Sequence, residues 1–500
     1  MTSHNSRPAR LRVALLGAVA IAAVSGAVVD RVVPFASPAR AEAPAVLAQG
    51  GPASFADVVD QVKGSVVSVK VEMRETAAAA PGDDDQGSSD DSMERFFRRF
   101  GGRNSPFGQG RQGQKQEALG SGFIISSDGF VVTNNHVVEN ATDVTIIMDD
   151  GKSMSATVVG TDKKTDLALL KIKGGGSYPH VTFADHSPRV GDWVLAVGNP
   201  FGLGGTVTAG IVSARGRDIG SGPYDDFLQI DAPVNRGNSG GPTFNNAGQV
   251  VGVNTAIFSP SGGSVGIGFA IPTEVVKTVV AALKDKGSVA RGYIGVQIQP
   301  VTQDIADSLG LASTRGALVA DAQKNSPAAA AGLKSGDVIT AVNGDTIDSA
   351  RDLSRRIAAL GPDKKADLTF SRDGASKTVS VTLGALPIDK EARASDPAPD
   401  ELNAPTAMAG LGLGLAPAAS VRGAGRDGVV ITQVDADSAA AQKGLRVGDV
   451  ILEANGKTIT RPADLAGVLD AARKDRRKAV LLRVQSGGAS RFVAIETKAG

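Results

Sequence analysis

The chain has 500 residues, 53 basic against 52 acidic side chains, 62 glycines, 4% aromatics and no cysteine. That length exceeds one hydrophobic core, so two to four domains are expected. A formal charge of +1 gives no global field toward nucleic acid, and the missing cysteines exclude a thiol nucleophile, a disulfide framework and every thiolate metal site.

Arg7, Arg10 and Arg12 precede an apolar run from Val13 to Val29 that Asp30 and Arg31 end. A basic flank before an apolar core is the pattern of a secretory signal, and Ala39-Arg40-Ala41 offers a cleavage site. The other reading of residues 1–41 is an uncleaved anchor, at the short limit of the roughly 17–25 residues a span needs. Residues 42–54 read as a leader. Helical spacing follows from Phe55 to Lys63, and strand alternation from Ser65 to Val71. Between Thr76 and Gln116 the chain turns poly-Ala, then acidic, then basic and Gly/Gln-rich, a composition unable to fold alone. One amphipathic patch interrupts it, where Phe96, Phe97 and Phe100 stand among arginines.

From Gly120 to Pro272 short runs recur (GFIIS, FVVTN, DVTIIM, LALLKI, WVLAVG, AGIVSA, GQVVGVNTA), separated by Gly and Asn/Asp turns. Many short strands with few helical stretches indicate a sandwich or barrel, so the chain is mainly β. Helical spacing returns from Thr273 to Lys286, with Thr273 as the expected N-cap and Gly287 as the stop.

Candidate chemistry falls in this β-rich stretch. Of the four histidines, His4 lies in the export segment, and His180 and His186 sit in polar, turn-like sequence. His136 follows a strand in FVVTNNHVV. Ser239 lies in RGNSGGP, where flanking glycines let a serine protrude and let backbone N–H groups converge on a developing oxyanion. Gly237, Asn238 and Ser239 are the candidate oxyanion loop. Asp166 opens the strand DLALLK, where a buried carboxylate can hold an imidazole in one tautomer. A Gly-rich turn for the serine and a turn role for Asp166 remain the plain alternatives. No phosphate loop, HExxH or EF-hand loop occurs, so no cofactor, metal or nucleotide is implied.

An internal repeat follows. GLKSGDVITAVNGDTI begins at Gly332 and GLRVGDVILEANGKTI at Gly444. The same offset separates Gly316 from Gly428, Asn343 from Asn455 and Asp352 from Asp464. Residues 288–386 and 410–500 are thus two copies of one module, joined by a Pro/Ala-rich linker over 387–409. Each copy begins with an apolar-Gly-apolar turn, Tyr293-Ile294-Gly295-Val296 and Gly410-Leu411-Gly412-Leu413. Such a turn can offer N–H groups to a peptide carboxylate while the next strand edge pairs with the peptide. The second copy, with Leu411, Gly412 and Leu413, equally reads as an assembly module.

The segments GSGFIIS, TNNHVV, DLALLKI, GNPFGLGGTVTAGIVS, RGNSGGP and GIGFAIP, in that order, resemble the HtrA/Do (DegP-type) proteases from Phe55 to the C-terminus. The resemblance implies a trypsin-like double β-barrel protease domain (55–287, with 76–116 as a regulatory insertion) followed by two PDZ domains. It implies His136 as general base, Asp166 as its orienter and Ser239 as nucleophile. It further implies a periplasmic, ATP-independent serine endopeptidase acting on unfolded polypeptides and binding C-terminal peptides. The expected assembly is a homotrimer that builds larger oligomers, with membrane contact only through an uncleaved N-terminus and a loop 76–116 that reaches a neighbouring active site. Six residues before the serine, where trypsin-type enzymes carry a carboxylate, stands Pro233. With Ala232, Val234, Val253, Thr255, Ala256 and Ile257 around it, a small apolar S1 pocket is expected. Two other readings stay open: a peptide-sensing regulatory protease of narrow range, and a holdase or scaffold on the same fold.

Overall fold

The structure, a computed structural model, describes residues 54–73, 117–200, 205–235, 237–260, 263–387, 406–408, 411–475, 477 and 479–497. The expected export segment, the leader up to residue 53, the insertion 76–116 with its phenylalanines, and the linker apart from 387 and 406–408 lie outside the described residues.

Two closed six-stranded barrels come first. The N-terminal barrel contains β1 (Val66–Met73), β2 (Glu117–Ile124), β3 (Phe130–Thr133), β4 (Ala141–Ile147), β5 (Ser153–Asp162) and β6 (Leu167–Ile172). The second contains β7 (Trp193–Gly198), β8 (Thr206–Arg217), β9 (Phe227–Ile230), β10 (Pro242–Phe244), β11 (Val250–Ile257) and β12 (Gly268–Pro272). The near-continuous apolar run LALLKI reflects burial on both faces of β6. Ala168, Leu170 and Ile172 fill the first barrel, while Leu167 and Leu169 join Leu195, Phe244 and Val253 in a core shared by the two barrels. Val66 and Val67 on β1 divide in the same way.

The helix Thr273–Lys286 lays Val276, Val279, Val280 and Leu283 on that shared core, the i, i+3, i+4 spacing of one helix face. Gly287 ends it at φ +69, with its N–H on the Leu283 carbonyl. The N-terminus differs from expectation. Pro272, extended and closing β12, holds the cap position, so Thr273 is the first helical residue and its hydroxyl is buried without a partner.

The two repeats fold alike. The first has β13 (Gly292–Tyr293) and β20 (Gly384–Ala385) as a small ribbon. Its main sheet holds β14 (Val296–Pro300), β15 (Ala317–Ala322), β16 (Val338–Val342), β18 (Lys365–Arg372) and β19 (Ala375–Thr382), with β17 (Asp345–Thr346) on β16. The second holds β21 (Thr406–Met408), β22 (Leu413–Pro417), β23 (Val429–Val434), β24 (Val450–Ala454), β26 (Ala479–Ser486) and β27 (Ala489–Glu496), with β25 (Lys457–Thr458) on β24. The repeated Asn-Gly pairs turn with both residues at positive φ, 53° and 86° in one copy and 48° and 73° in the other, as a two-residue hairpin requires. The repeated Asp352 and Asp464 both accept backbone N–H groups at helix N-termini.

The pieces are joined by specific contacts. Arg291, on the way into β13, makes a two-pronged, buried ion pair with Asp162 at 2.8 and 2.5 Å. The repeats share an apolar seam of Ile305, Leu318, Ala320 and Val338 against Leu481, Phe492 and Ala494. Beside it, side chains on β14 reach the edge of β27. Gln297 accepts from the Ser490 N–H at 2.9 Å, and Gln299 both accepts from the Phe492 N–H at 2.6 Å and donates to its carbonyl at 3.1 Å.

Candidate active site

Antiparallel pairing of β3 with β6 sets Thr133 opposite Ala168. The residues just after β3 and just before β6 therefore meet at one end of the barrel. The chain leaves β3 into a short helical turn, Asn135–Val138, that carries His136. Asp166 sits at φ +56, a conformation Asp tolerates better than most side chains, and is 2% exposed. Its carboxylate accepts the backbone N–H of His136 at 2.9 Å and faces the ring Nδ1 at 2.7 Å. A carboxylate can only accept, so Nδ1 carries the proton and Nε2 is the basic nitrogen. The Asp166 carbonyl is held in turn by the Asn135 N–H at 3.1 Å and the Asn134 side-chain amide at 2.8 Å.

Ser239 comes from the other barrel, in the turn before β10. Gly237 and Gly240 take φ of +90 and +84. A Cβ on Gly237 would lie 2.2 Å from that of Pro200, and one on Gly240 2.2 Å from the Ser121 carbonyl. Only glycine fits either position. The Ser239 hydroxyl rests on the Thr255 carbonyl at 3.4 Å, the long limit of a hydrogen bond. The Thr255 hydroxyl accepts the Asn134 amide at 2.9 Å, so one residue of β11 touches both the histidine turn and the serine. Asn134 lies in the segment TNNHVV and Thr255 in the expected pocket wall, but no sequence signal pairs them.

Within the expected oxyanion loop the three residues differ. The Asn238 N–H is donated to the Asn235 carbonyl at 3.0 Å. Among the described residues the N–H groups of Gly237 and Ser239 have no acceptor. The expected S1 wall also contracts. Val253 and Ala256 belong to the shared core, and the Thr255 hydroxyl is turned to Asn134. Val234 and Ile257 remain together in one apolar cluster with Ala232. Pro233 is exposed, with its carbonyl on the Thr208 hydroxyl at 2.7 Å. His180 is tied to the Tyr178 carbonyl at 3.2 Å. Among the described residues no cluster of His, Asp and Glu could hold a metal.

The apolar-Gly-apolar turns of the two repeats have different surroundings. In the first, Gly295 is at φ +74 against Ser326, and the Ile294 and Gly295 carbonyls are taken by Ala328 and Gln323 N–H groups, both at 2.9 Å. Val296 and Ile298 face the repeat's core, and β14 is an edge strand. Burial raises the pKa of Tyr293, whose hydroxyl donates to Gln323. In the second, Leu411 is buried and Gly412 is at φ +65 against Ser438. There the equivalent edge is occupied: β21 pairs along β22, with Thr406 opposite Leu415 and Met408 opposite Leu413.

The helix Ala350–Leu360, which packs beside β14, is tied to the protease domain by ion pairs of Arg351 with Asp218 and of Arg355 with Asp226, the latter at 2.7 Å. Both aspartates lie between β8 and β9 or at their ends. Burial pushes the neighbouring Asp225 carboxyl up from its ordinary value, against the Ser221 hydroxyl and the amides of Ser221 and Ile219.

Comparison with known proteins agrees with this architecture. Residues 120–253 match the trypsin-like peptidase domain family, and residues 292–383 and 430–484 each match a PDZ domain family. A probable periplasmic serine endoprotease DegP-like from Rhizobium meliloti is 47% identical, covering 97% of this chain and 98% of its own length. One from Brucella suis is 50% identical over 89% of each chain. Among solved structures, the HtrA-type protease AlgW with tripeptide superposes with a TM-score of 0.56 at 36% identity, covering 67% of this chain and 98% of its own. The same protease with decapeptide gives 0.54 at 36% identity, covering 67% of this chain and 100% of its own. With a trypsin-like double barrel and two PDZ domains in one chain, this protein belongs to the DegP-like serine endoproteases of the HtrA type.

Proposed function

We propose that this endoprotease is exported to the periplasm and degrades unfolded polypeptides there without ATP, with His136, Asp166 and Ser239 as its catalytic triad. The observation that carries the assignment is the Asp166 carboxylate engaging both the backbone N–H and the ring Nδ1 of one histidine, on the barrel facing the Ser239 turn. Ser239 Oγ attacks the scissile carbonyl while His136 Nε2 takes its proton. The Asp166 carboxylate stabilises the imidazolium that forms. The weak bond to Thr255 costs little to exchange for one to His136. The tetrahedral oxyanion is received by the Gly237 and Ser239 N–H groups. His136 then protonates the leaving amine, and water resolves the acyl-enzyme by the same steps.

Val234 and Ile257 support a small apolar S1 pocket that prefers Val, Ala or Ile. The open edge of β14 and the turn Tyr293-Ile294-Gly295-Val296 support capture of peptide C-termini by the first PDZ domain. Trp193, 42% exposed and packed on Phe55 at 5.7 Å, supports self-association, which we assign to a homotrimer able to build larger particles. The periplasmic names of the relatives support the compartment. Holding unfolded chains without cutting them is compatible with the same surfaces. A second reading, peptide-controlled proteolysis, is favoured by the ion pairs that tie the helix beside β14 to Asp218 and Asp226.

The test is casein degradation by the mature chain and by Ser239→Ala, with native mass by light scattering and fragment mapping by mass spectrometry. Nucleotide-free degradation, lost in Ser239→Ala and cutting mainly after Val, Ala or Ile, is the expected result. Residual cleavage by a clean Ser239→Ala preparation refutes the triad, and a majority of cuts after Arg or Lys refutes the pocket.

A further inference from the structure

We propose that Ser121, on the opposite barrel from the nucleophile, is a positioning residue that aims the oxyanion donors, an inference that rests on the reading of Ser239 as nucleophile. Ser121 is fully buried on β2. Its hydroxyl donates to the Gly237 carbonyl at 2.6 Å and accepts the Asn199 N–H at 2.8 Å. Its backbone N–H donates to the Ser239 carbonyl at 2.9 Å. Its own carbonyl accepts the Thr133 hydroxyl at 2.7 Å. One residue thus grips the catalytic turn at both ends of Gly237-Asn238-Ser239, while Thr133 ties it to the strand that leads to His136.

Peptide units are rigid planes, so fixing a carbonyl also fixes the N–H across the same bond. The Gly237–Asn238 plane is held at its carbonyl by Ser121 and at its N–H by Asn235. The Ser239–Gly240 plane is held at its carbonyl by Ser121 and at its N–H by the Asn254 carbonyl at 2.8 Å. Between them, the Asn238 carbonyl accepts the Gly241 N–H at 3.0 Å, and the Ser239 N–H lies across that same bond. Ser121 therefore borders the donor-bearing plane on both sides. Its backbone bond survives any substitution, but the hydroxyl bond to Gly237 does not. Alanine would deprive the half-buried Gly237 carbonyl and the buried Asn199 N–H of this partner and leave the first plane held only through the Asn238 N–H. Oxyanion donors act on the transition state and little on bound substrate, so misaiming them lowers kcat and leaves KM. Removing one donor outright costs about 100- to 1,000-fold in kcat, so misaiming should cost about 10- to 100-fold.

The experiment compares wild type, Ser121→Ala, Thr133→Val and Ser239→Ala as full-length mature protein, using a fluorogenic peptide with Val at the cleaved bond. Competent sites are counted by fluorophosphonate labelling, so that kcat is expressed per labelled site. The expected result is a fall of about 10- to 100-fold in kcat for Ser121→Ala at near-constant KM, with a smaller fall in the same direction for Thr133→Val. A purely structural role would lower the labelled fraction and leave kcat per site intact, and that outcome overturns the inference, as does a loss carried by KM alone. If Ser121→Ala does not fold, Thr133→Val decides by the same criterion. An active Ser239→Ala would overturn the nucleophile itself. An inactive Ser239→Ala beside a Ser121→Ala of normal kcat would overturn only the positioning role.

Discussion

Replacing Asp166 with Asn changes one proton acceptor and little else, because the site already provides for the rest. At φ +56 an Asn is tolerated nearly as well as Asp, whereas Ala there would be strained. The new carbonyl oxygen can still accept the His136 backbone N–H, now 2.9 Å from the carboxylate. What faces the ring at 2.7 Å becomes an NH₂ group. Two donors cannot bond, so the imidazole adopts the other tautomer: Nδ1 accepts and Nε2 carries the hydrogen. A protonated Nε2 cannot take the proton of Ser239. A loss of about 10⁴-fold in kcat is expected from this inversion, or about 5.4 kcal/mol of barrier at 1.36 kcal/mol per tenfold. KM should hold, because Asp166 is buried and offers bound substrate almost no surface. The measurement is steady-state cleavage of the Val peptide with a thermal melt alongside. A kcat within tenfold of wild type, with the fold intact, would refute the assignment of Asp166 as the orienting group.

The remaining predictions concern other joints of the molecule. Gly237→Ala should cut kcat by about 100-fold or more with unchanged circular dichroism, since the added Cβ collides with Pro200 and displaces one oxyanion donor; a variant of normal kcat would show that the loop has room to spare. Arg291→Met should leave the buried Asp162 carboxylate unpaired and destabilise the fold by about 3–5 kcal/mol, visible as an earlier unfolding transition in urea. Adding Asp162→Leu should recover much of that loss, and a double variant no better than the single would count against the pair. Asp464, held down to about 2 by the Thr460 hydroxyl, the Arg461 guanidinium and the two backbone N–H groups, has a folded pKa below its ordinary 3.8. Its contribution is therefore complete above about pH 4 and lost as pH falls toward 2. Hydrogen exchange of the helix Pro462–Lys474 should accelerate over that window in the wild type, and the acceleration should vanish in Asp464→Ala.

Much of the fold was legible because it is written in local pattern. Alternating valines, Gly-bounded runs and the exact-offset repeat of Asn-Gly and Asp in residues 288–500 announce barrels and two like modules, and those are what the chain builds. His136 and Asp166 are flagged by their places at the ends of β3 and β6, whose pairing brings them together. The residues that hold the site are different. Asn134 meets Thr255 across 121 positions, and Ser121 meets Gly237 across 116. In the sequence Thr255 stands only as pocket wall, and Asn134 and Ser121 only as members of TNNHVV and GSGFIIS, since no short-range pattern reports contacts made by closing two barrels against each other. Thr273 was misplaced for a smaller reason. It has the chemistry of a cap, but Pro272 already occupies the cap position. The strand β21 was hidden by the Pro/Ala-rich composition around it, because its pairing depends on β22 being left with an open edge.

The glutamines of β14 bear on a hazard that goes with the action on unfolded chains proposed above. A strand at the rim of a sheet exposes a row of unmet N–H and C=O groups, a template on which any extended polypeptide can add. Closing a sheet into a barrel removes that rim, as both protease barrels do. β27 is the long rim strand of the second PDZ domain, and at Ser490 and Phe492 its backbone is met by the side-chain amides of Gln297 and Gln299. A carboxamide has the same donor and acceptor as a peptide group, so two glutamines stand in for a neighbouring strand without being one. At those two residues they screen the rim from any added strand. The outer edge of β14, the strand that bears them, stays open, so on the proposed reading adhesion is confined to the place where a peptide is captured.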